Sequence, residues 1–218
     1  ALAGEGVLFN NAFVAAPSCS PSRAAILTGQ FPHRLEEAAS LYGSFPSKFP
    51  VYTQLLEKAG YFVGMTGKGW APGNFEVSGW EHNPAGKRYK NFESFLTEVP
   101  ENSPFCFWFG STDPHRPYKK NSGTESGMDI SKVKIPDYFP DDTLVRKDIL
   151  DYYYEVERFD REVGKVLRIL EQSGRLENTL IVMTGDNGWP FPRAKATLYD
   201  GGTRVPLAIS WKAEVSGG

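Results

Sequence analysis

The 218-residue sequence has only two cysteines, no long apolar run and no excess of charge of one sign. Cys19 and Cys106 cannot form a disulfide framework, and the position of Cys106 in the aromatic run FCFWFG predicts a core thiol. No apolar run approaches the ~20 residues of a bilayer-spanning helix. The formal charge of −2 gives no general attraction to nucleic acid or to an acidic membrane, so neither partner is expected and anion recognition must be local.

The sequence also lacks an initial methionine; it starts on ALAGEG and ends on SGG. Its length suits one large α/β domain or a piece of something larger. We therefore expect both ends to be cuts through a longer polypeptide.

Five apolar runs rich in β-branched and aromatic residues predict strands. They are VLFNNAFV at 7–14, YFVGMT at 61–66, FCFWFG at 105–110, TLIVMT at 179–184 and VPLAISW at 205–211. Several are almost continuously apolar, which favours strands covered on both faces in a largely parallel sheet. Apolar residues at spacings of three and four predict a helix over 144–170, and a shorter one is predicted over 51–59. This alternation predicts an α/β fold with helices flanking the sheet.

Two long segments, 72–90 and 111–143, are rich in Gly, Pro, Ser, Asn and Asp and show little periodicity. They predict surface loops, and loops of that length in a compact domain are more often functional than idle.

The segment CSPSRAAILTG, at residues 19–29, is the most informative. Pro21 suits a first helical turn, the serines around Cys19 are capping types, and good helix formers follow. Cys19 is therefore predicted at the positive end of a helix, where an oxyanion is attracted, and Arg23 adds a cation. These residues predict chemistry on an anion. The alternative is that Cys19 is a buried structural thiol.

Polar residues come directly after four of the predicted strands. They are Cys19, Lys68 in TGKGW, His115 in DPHRPY, and Asp186 with Asn187 in TGDNG. Because ligands of open α/β sheets bind at the carboxyl ends of strands, we expect these side chains to share one cleft. Asp186 and Asn187 offer the oxygen donors that calcium and magnesium favour, although Asp-Asn-Gly is also an ordinary turn.

Residues 19–29 resemble the sulfatase signature, in which Cys or Ser is followed by x-Pro-x-Arg and closed by Thr-Gly. Its fixed positions are filled by Cys19, Pro21, Arg23, Thr28 and Gly29. TGKGW, DPHRPY, TGDNG, FPRAKATLY and GGTRVPLAISW resemble other segments of that family, so the resemblance runs from Ala12 to Trp211. DPHR together with DNGWPFPRAKATLY is most similar to the heparan N-sulfatase branch, which hydrolyses N-sulfoglucosamine.

The resemblance implies that residues 1–218 are part of an alkaline-phosphatase-like sulfatase catalytic domain, without its first strand, the Asp pair that strand carries, and the C-terminal subdomain. It implies that a maturation enzyme oxidises Cys19 to Cα-formylglycine. The hydrate of that aldehyde would attack the sulfur of a sulfate ester or N-sulfate in a glycosaminoglycan-type carbohydrate. An extracytoplasmic location, periplasmic, secreted or lysosomal, is implied as well.

The resemblance also assigns the site residues. The implied metal ligands, for Ca²⁺ or alternatively Mg²⁺, are Asp186, Asn187 and the oxidised Cys19. The implied catalytic residues are Cys19, Arg23, Lys68, His115 and Lys195. Arg23 and Lys68 would hold the nucleophile, and Lys195 would neutralise the sulfate. His115 would protonate the leaving group or bind sulfate.

One position departs from the family pattern, because many sulfatases carry histidine where this chain has Trp70. His115, His82 or a residue outside the sequence must then take over its task. Trp70 and Trp189 could offer flat faces to a sugar ring, although packing is the safer assignment. Two other functions stay open: a phosphoryl-transfer enzyme of the same superfamily, which CSPSR argues against, and a catalytically silent glycan-binding module.

Overall fold

The computed structural model describes residues 2–215, which form six strands, seven α-helices and several short 3₁₀ turns. The strands are β1 (Val7–Phe13), β2 (Phe62–Gly67), β3 (Lys87–Arg88), β4 (Phe105–Gly110), β5 (Ile181–Thr184) and β6 (Arg204–Ser210). The helices are α1 (Leu2–Glu5), α2 (Cys19–Thr28), α3 (Tyr52–Lys58), α4 (Phe92–Glu98), α5 (Ser122–Glu125), α6 (Thr143–Gln172) and α7 (Asp200–Thr203). The predicted α/β class is confirmed, and the five predicted strands and both predicted helices are present with small differences at their ends.

The chain divides into two compact units, one of residues 1–110 and 169–218 and the other of residues 111–168. Both sheets lie in the first unit. The assignment of residues 1–218 to one catalytic domain stays a prediction. Among the described residues, no helix has both the length and the apolar character needed to cross a bilayer.

The first sheet, in the order β3-β2-β4, is parallel. β2 and β4 are in register from Phe62 opposite Phe105 to Gly67 opposite Gly110, so both strands end at the same edge. Gly67 has φ 65°, and a Cβ there would collide with the carbonyl oxygen of Gly110. Glycine is therefore needed where the chain leaves β2, directly before Lys68.

The second sheet, in the order β1-β6-β5, is antiparallel throughout. The prediction of a largely parallel sheet is therefore wrong for these three strands, and the fold is mixed. A parallel pair requires a crossover connection, usually a helix that carries the chain back along the sheet. Residues 185–203 between β5 and β6 contain only the four-residue α7, so the chain turns back and β6 runs antiparallel to β5.

Strand β1 also departs from the expectation of burial on both faces. Its side chains Leu8, Phe9 and Phe13 are exposed. The central strand β2 meets the expectation, because four consecutive residues of its six are buried.

The core lies around α2 and β2, and its buried members come from both elements and from the loops that follow them. They are Ala24, Leu27, Leu35, Ala38, Phe45, Val51, Met65, Trp70, Trp80 and Ala85. Seven of the ten residues of α2 are buried, and Gly29 ends the helix in the left-handed region. This packing holds the first turn of α2 against the exit of β2.

Cys106 lies on β4 and is half-buried, so it borders the core rather than belonging to its fully buried residues as predicted. Burial raises the pKa of its thiol to about 11, and the charge of Glu57 acts in the same direction, whereas a hydrogen bond with Tyr52 opposes it.

The second unit consists of α5, most of α6 and connecting loops, as the loop prediction for 111–143 largely expected. The carboxylate of Asp151 accepts hydrogen bonds from the backbone N–H groups of Asn121 and Gly123, both at 2.9 Å. Arg116 and Asp148 form a bidentate pair at 2.9 and 2.6 Å. These contacts fix the loop that carries His115 onto α6 within this unit.

Candidate functional site

The side chain of Cys19 sits at the first residue of α2 and is only 3% exposed. Ser18 is the N-cap residue, with extended backbone and no side-chain capping bond. The thiol therefore lies beside the free N–H groups and positive dipole end of the helix, as predicted.

Two donors from distant parts of the chain reach this thiol. Lys195 Nζ lies 3.4 Å from Cys19 Sγ, and Asn187 Nδ2 lies 3.7 Å from it. The sulfur atom of Cys19 therefore faces an ammonium group and an amide. Such a surrounding favours negative charge on whatever occupies the position of the sulfur atom.

A partly buried ion pair lies next to the thiol. Arg23 Nε donates to Asp186 Oδ2 at 2.6 Å, and the side chains are 9% and 22% exposed. The other carboxylate oxygen, Oδ1, accepts from Asn187 Nδ2 at 2.9 Å. Arg23 Nη1 also donates to the carbonyl oxygens of Lys68 and Gly69, at 2.7 and 2.9 Å.

The electrostatics of Asp186 reflect this crowding of cations. Burial by itself would raise the pKa of its carboxyl group, but the charge and hydrogen bond of Arg23 lower it, and so do the charges of Lys68 and Lys195. The net effect is a pKa below the usual value, so Asp186 is ionised at neutral pH. Three cationic side chains thus surround one carboxylate beside Cys19.

The loop that carries Lys195 is held against the segment that precedes α2. The N–H of Ala196 donates to the carbonyl oxygen of Pro17 at 2.8 Å, and the N–H of Lys195 donates to that of Trp189 at 3.1 Å. Ala196 and Arg193 both have positive φ, at 66° and 62°. Non-glycine residues rarely adopt this region, and strain of this kind is common at functional sites.

The first unit brings six of the predicted side chains into one cluster: Cys19, Arg23, Lys68, Asp186, Asn187 and Lys195. His115 lies in the second unit, where its Nδ1 is 2.6 Å from the carbonyl oxygen of Arg116. The role assigned to His115 stays a prediction.

His82 was the other described candidate for the task of the missing histidine, whereas Trp70 and Trp189 were considered as flat faces for a sugar ring. His82 Nε2 lies 3.9 Å from a carboxylate oxygen of Glu57, and its Nδ1 lies 3.0 Å from the carbonyl oxygen of Asn83. Trp70 is fully buried, so it cannot offer a face to a sugar ring and the packing assignment is correct. Trp189 packs on Phe191 with ring centroids 4.5 Å apart.

Sequence reasoning missed Trp108, which lies on β4. Its indole Nε1 donates to the carbonyl oxygen of Lys68 at 3.1 Å, and the guanidinium of Arg23 lies 5.9 Å from the centroid of its ring. A tryptophan two residues before the end of a strand, at the edge predicted to carry the site, was the available signal. Because its neighbours in FCFWFG are apolar, Trp108 was interpreted only as part of a buried strand.

The oxygen atoms available in the cluster are of the types that coordinate hard divalent cations. Asp186 is ionised, and the amide of Asn187 contains an oxygen, and both are ligand types that Ca²⁺ and Mg²⁺ prefer, although the Asn187 nitrogen is the atom that contacts Asp186. They supply only part of a coordination shell. Within residues 2–215, no group of three or more His, Cys, Asp and Glu side chains could hold a metal ion by itself.

Fold and site together define an α/β protein in which the N-terminus of a helix presents a thiol to a cluster of cationic and amide side chains. A model of the sulfatase family matches residues 1–83 and 85–216. Human N-sulphoglucosamine sulphohydrolase is 33% identical over 247 residues, covering 96% of this chain and 49% of that protein. An ulvan-active sulfatase of Formosa agariphila is 30% identical over 257 residues, covering 95% of this chain and 42% of that protein.

A solved structure from work on glycosaminoglycan metabolism by Bacteroides thetaiotaomicron has a TM-score of 0.77 and 17% identity, covering 96% of this chain and 58% of that chain. At that identity the likeness shows the fold alone. The chain belongs to the sulfatase family. It has the alkaline-phosphatase-like fold of that family and spans about half the length of the curated relatives it matches. Membership implies formylglycine and a divalent metal as general features.

Proposed function

We propose that the protein is a sulfatase that hydrolyses a sulfate ester or N-sulfate of a glycosaminoglycan-type carbohydrate, with formylglycine made from Cys19 as its nucleophile. The observation that carries this proposal is the position of Cys19 Sγ, at the start of α2 and within 3.4 Å of Lys195 Nζ. The name of the human relative, at 33% identity, favours an N-sulfated glucosamine. Because the ulvan-active relative is 30% identical, a sulfate ester of another polysaccharide is the second candidate substrate.

Each residue of the cluster is assigned a separate role in binding the sulfate group. Lys195 lies close enough to residue 19 to neutralise the oxygens of a sulfate that is attacked there. Arg23 donates from Nε to Asp186 and from Nη1 to the carbonyl oxygens of Lys68 and Gly69, which follow β2. Because Arg23 lies on the same helix as residue 19, these bonds keep residue 19 close to the Asp186 carboxylate. Lys68 adds positive charge to the same position. His115 is assigned to protonation of the leaving group or to sulfate binding.

Asp186 and Asn187 would hold the metal, with oxidised residue 19 as a third ligand. When bound, a divalent cation supplies Lewis-acid polarisation of a sulfate oxygen. The oxygen-only donors favour Ca²⁺, with Mg²⁺ as the alternative. In the thiol form, Asn187 directs its amide nitrogen to both Cys19 and Asp186, so its amide must rotate to offer oxygen to a cation.

The proposal includes one protein partner and a location. A formylglycine-generating maturation enzyme must act on Cys19, and a thiol that is only 3% exposed is out of its reach in the folded protein. Maturation therefore precedes the docking of α2. The lysosomal, periplasmic or secreted setting of the family is proposed for this protein as well.

The test uses protein expressed from its complete gene together with a formylglycine-generating enzyme. We expect release of sulfate from N-sulfoglucosamine, no turnover by Cys19→Ala, and an oxidised residue in the Cys19 peptide by mass spectrometry. Removal of metal with a chelator should stop turnover, and re-addition of Ca²⁺ or Mg²⁺ identifies the native ion.

The same assay panel separates the alternatives. Faster hydrolysis of a phosphate diester than of any sulfated sugar would assign the protein to phosphoryl transfer. Binding of sulfated glycans without turnover, in protein shown to contain formylglycine, would assign it to the silent glycan-binding class. Full activity with an unmodified Cys19 thiol would contradict the proposed nucleophile.

A further inference from the structure

Trp70 connects the core to the turn that carries residue 19. It lies just after β2, is fully buried, and packs on Phe45 with ring centroids 5.1 Å apart. Its indole Nε1 donates a buried hydrogen bond of 2.9 Å to the carbonyl oxygen of Ser20. Ser20 is the residue directly after Cys19, so this bond holds the first turn of α2 from the core side.

Asn83 fixes Trp70 in turn. Its Nδ2 donates to the carbonyl oxygen of Trp70 at 2.8 Å, and its Oδ1 accepts from the N–H of Trp70 at 2.8 Å and from that of Ala85 at 3.1 Å. A Cβ on Gly69 would collide with Oδ1 of Asn83. One amide therefore holds both backbone polar groups of Trp70, and the glycine before it allows the close approach.

Ser20 is held from three sides. Besides the indole bond, its hydroxyl donates to the carbonyl oxygen of Leu41 at 2.7 Å and accepts from the N–H of Gly73 at 3.2 Å. In a regular α-helix the carbonyl oxygen of residue i accepts from the N–H of residue i+4, and Ser20 occupies such a position in α2. The added indole bond is thus not needed to satisfy Ser20; it ties the helix to the segment that follows β2.

We propose that Trp70 is a positioning residue, which fixes the backbone of the first turn of α2 so that side chain 19 points at Lys195 and Asn187. This inference rests on the proposed function for its catalytic consequence. Small displacements of reacting groups lower rates steeply, about 10²-fold for 1 Å. Since a buried tryptophan also packs, the test must separate its N–H from its ring.

Replacement of Trp70 by 3-benzothienylalanine, in which sulfur takes the place of the indole N–H, preserves the ring and removes the donor. Trp80 is the matched control. It belongs to the same core cluster, and its indole donates to the carbonyl oxygen of Phe45 at 2.6 Å rather than to α2. The same replacement at Trp80 removes an indole N–H hydrogen bond to Phe45 and leaves the bond from Trp70 to the first turn of α2 intact.

In the matured enzyme we expect the Trp70 replacement to lower kcat roughly tenfold or more with little change in KM. The Trp80 replacement should leave both constants near the wild-type values. Equal losses of kcat in the two variants would overturn the inference, because they would mean that only general packing was affected.

A second readout does not depend on catalysis. In protein produced without the maturation enzyme, Cys19 keeps its thiol, and its alkylation requires the first turn to open. The Trp70 replacement should speed alkylation of Cys19 roughly fivefold or more, with Cys106 as the internal reference. An unchanged Cys19 rate, or a parallel rise at Cys106, would overturn the inference even if no sulfatase activity is found. A wild-type enzyme without sulfatase activity would instead overturn the proposed function alone.

Discussion

Arg23 and Asp186 form a partly buried ion pair between residues 163 positions apart, with Arg23 Nε 2.6 Å from Asp186 Oδ2. The pair joins the helix that carries Cys19 to the strand-end loop that carries the candidate metal ligands. Because Arg23 also binds two carbonyl oxygens after β2, three separate segments meet at one guanidinium.

We expect Arg23→Ala to destabilise the protein by at most about 3–5 kcal/mol, the cost of breaking a fully buried pair, because Asp186 is partly exposed and keeps its hydrogen bond from Asn187. Asp186→Asn should cost less, since the amide keeps the shape and can still accept a hydrogen bond. A double-mutant cycle by urea unfolding should give a coupling energy of about 0.5–3 kcal/mol. Additive effects would show that the two side chains contribute independently. The exposed pair of Lys48 and Glu36 is the control, with an expected coupling below about 1 kcal/mol.

The lowered pKa of Asp186 predicts a pH dependence of stability. Burial opposes the shift, but Arg23, Lys68 and Lys195 lower the pKa below its ordinary value of about 3.9. The carboxylate therefore stabilises the fold fully above about pH 4, and this contribution is lost as the pH falls through the lower folded-state value. The difference in free energy of unfolding between wild type and Asp186→Asn should be constant at neutral pH and shrink below about pH 4. A difference that is unchanged on acidification would contradict the assignment.

Gly67, at the end of β2, and Gly29, after α2, both adopt the left-handed region, so substitutions at Gly29 serve as a control for substitutions at Gly67. Gly67 and Gly29 have nearly equal φ, 65° and 67°. A Cβ on Gly67 would collide with the carbonyl oxygen of Gly110, whereas nothing lies within 4 Å of a Cβ on Gly29. Gly29→Ala should cost about 1–2 kcal/mol for backbone strain alone. Gly67→Ala should cost about 1–3 kcal/mol more, because the clash adds to the strain. Thermal unfolding of the two variants checks this, and equal losses would refute the clash.

The sequence predicted the elements of this fold well and their pairing less well. The runs around β2 and β4 carry enough β-branched and aromatic residues to define strands, and the signature at Cys19 located the start of α2. Strand direction depends on how the chain returns after β5, which composition does not encode, so the antiparallel second sheet was missed. The role of Asn83 was also missed, because a loop amide carries no periodic signal.

The backbone at Ala196 offers a test of how Lys195 is oriented. Ala196 is exposed, so a larger side chain meets solvent, but its φ of 66° disfavours β-branched residues. Ala196→Val should destabilise by about 1–3 kcal/mol and reduce kcat, because the loop must relax to relieve the strain. Ala196→Gly should be nearly neutral, since relief of strain is offset by greater freedom of the unfolded chain. Similar stability of both variants would show that the left-handed conformation is not required.

Lys195 provides the sharpest kinetic test of the cluster. Its ammonium group lies 3.4 Å from Cys19 Sγ and lowers the pKa of Asp186 through its charge, so it acts on the position where negative charge develops. In the matured enzyme, Lys195→Met keeps much of the apolar stem and removes the charge. We expect kcat to fall by about 10²–10³-fold, as for the loss of one oxyanion donor. Lys48→Met removes a lysine that pairs with Glu36 on the surface and should leave kcat unchanged. If Lys195→Met kept full activity with formylglycine present, sulfate neutralisation by this residue would be refuted, and the cation would have to come from Arg23 or Lys68 instead.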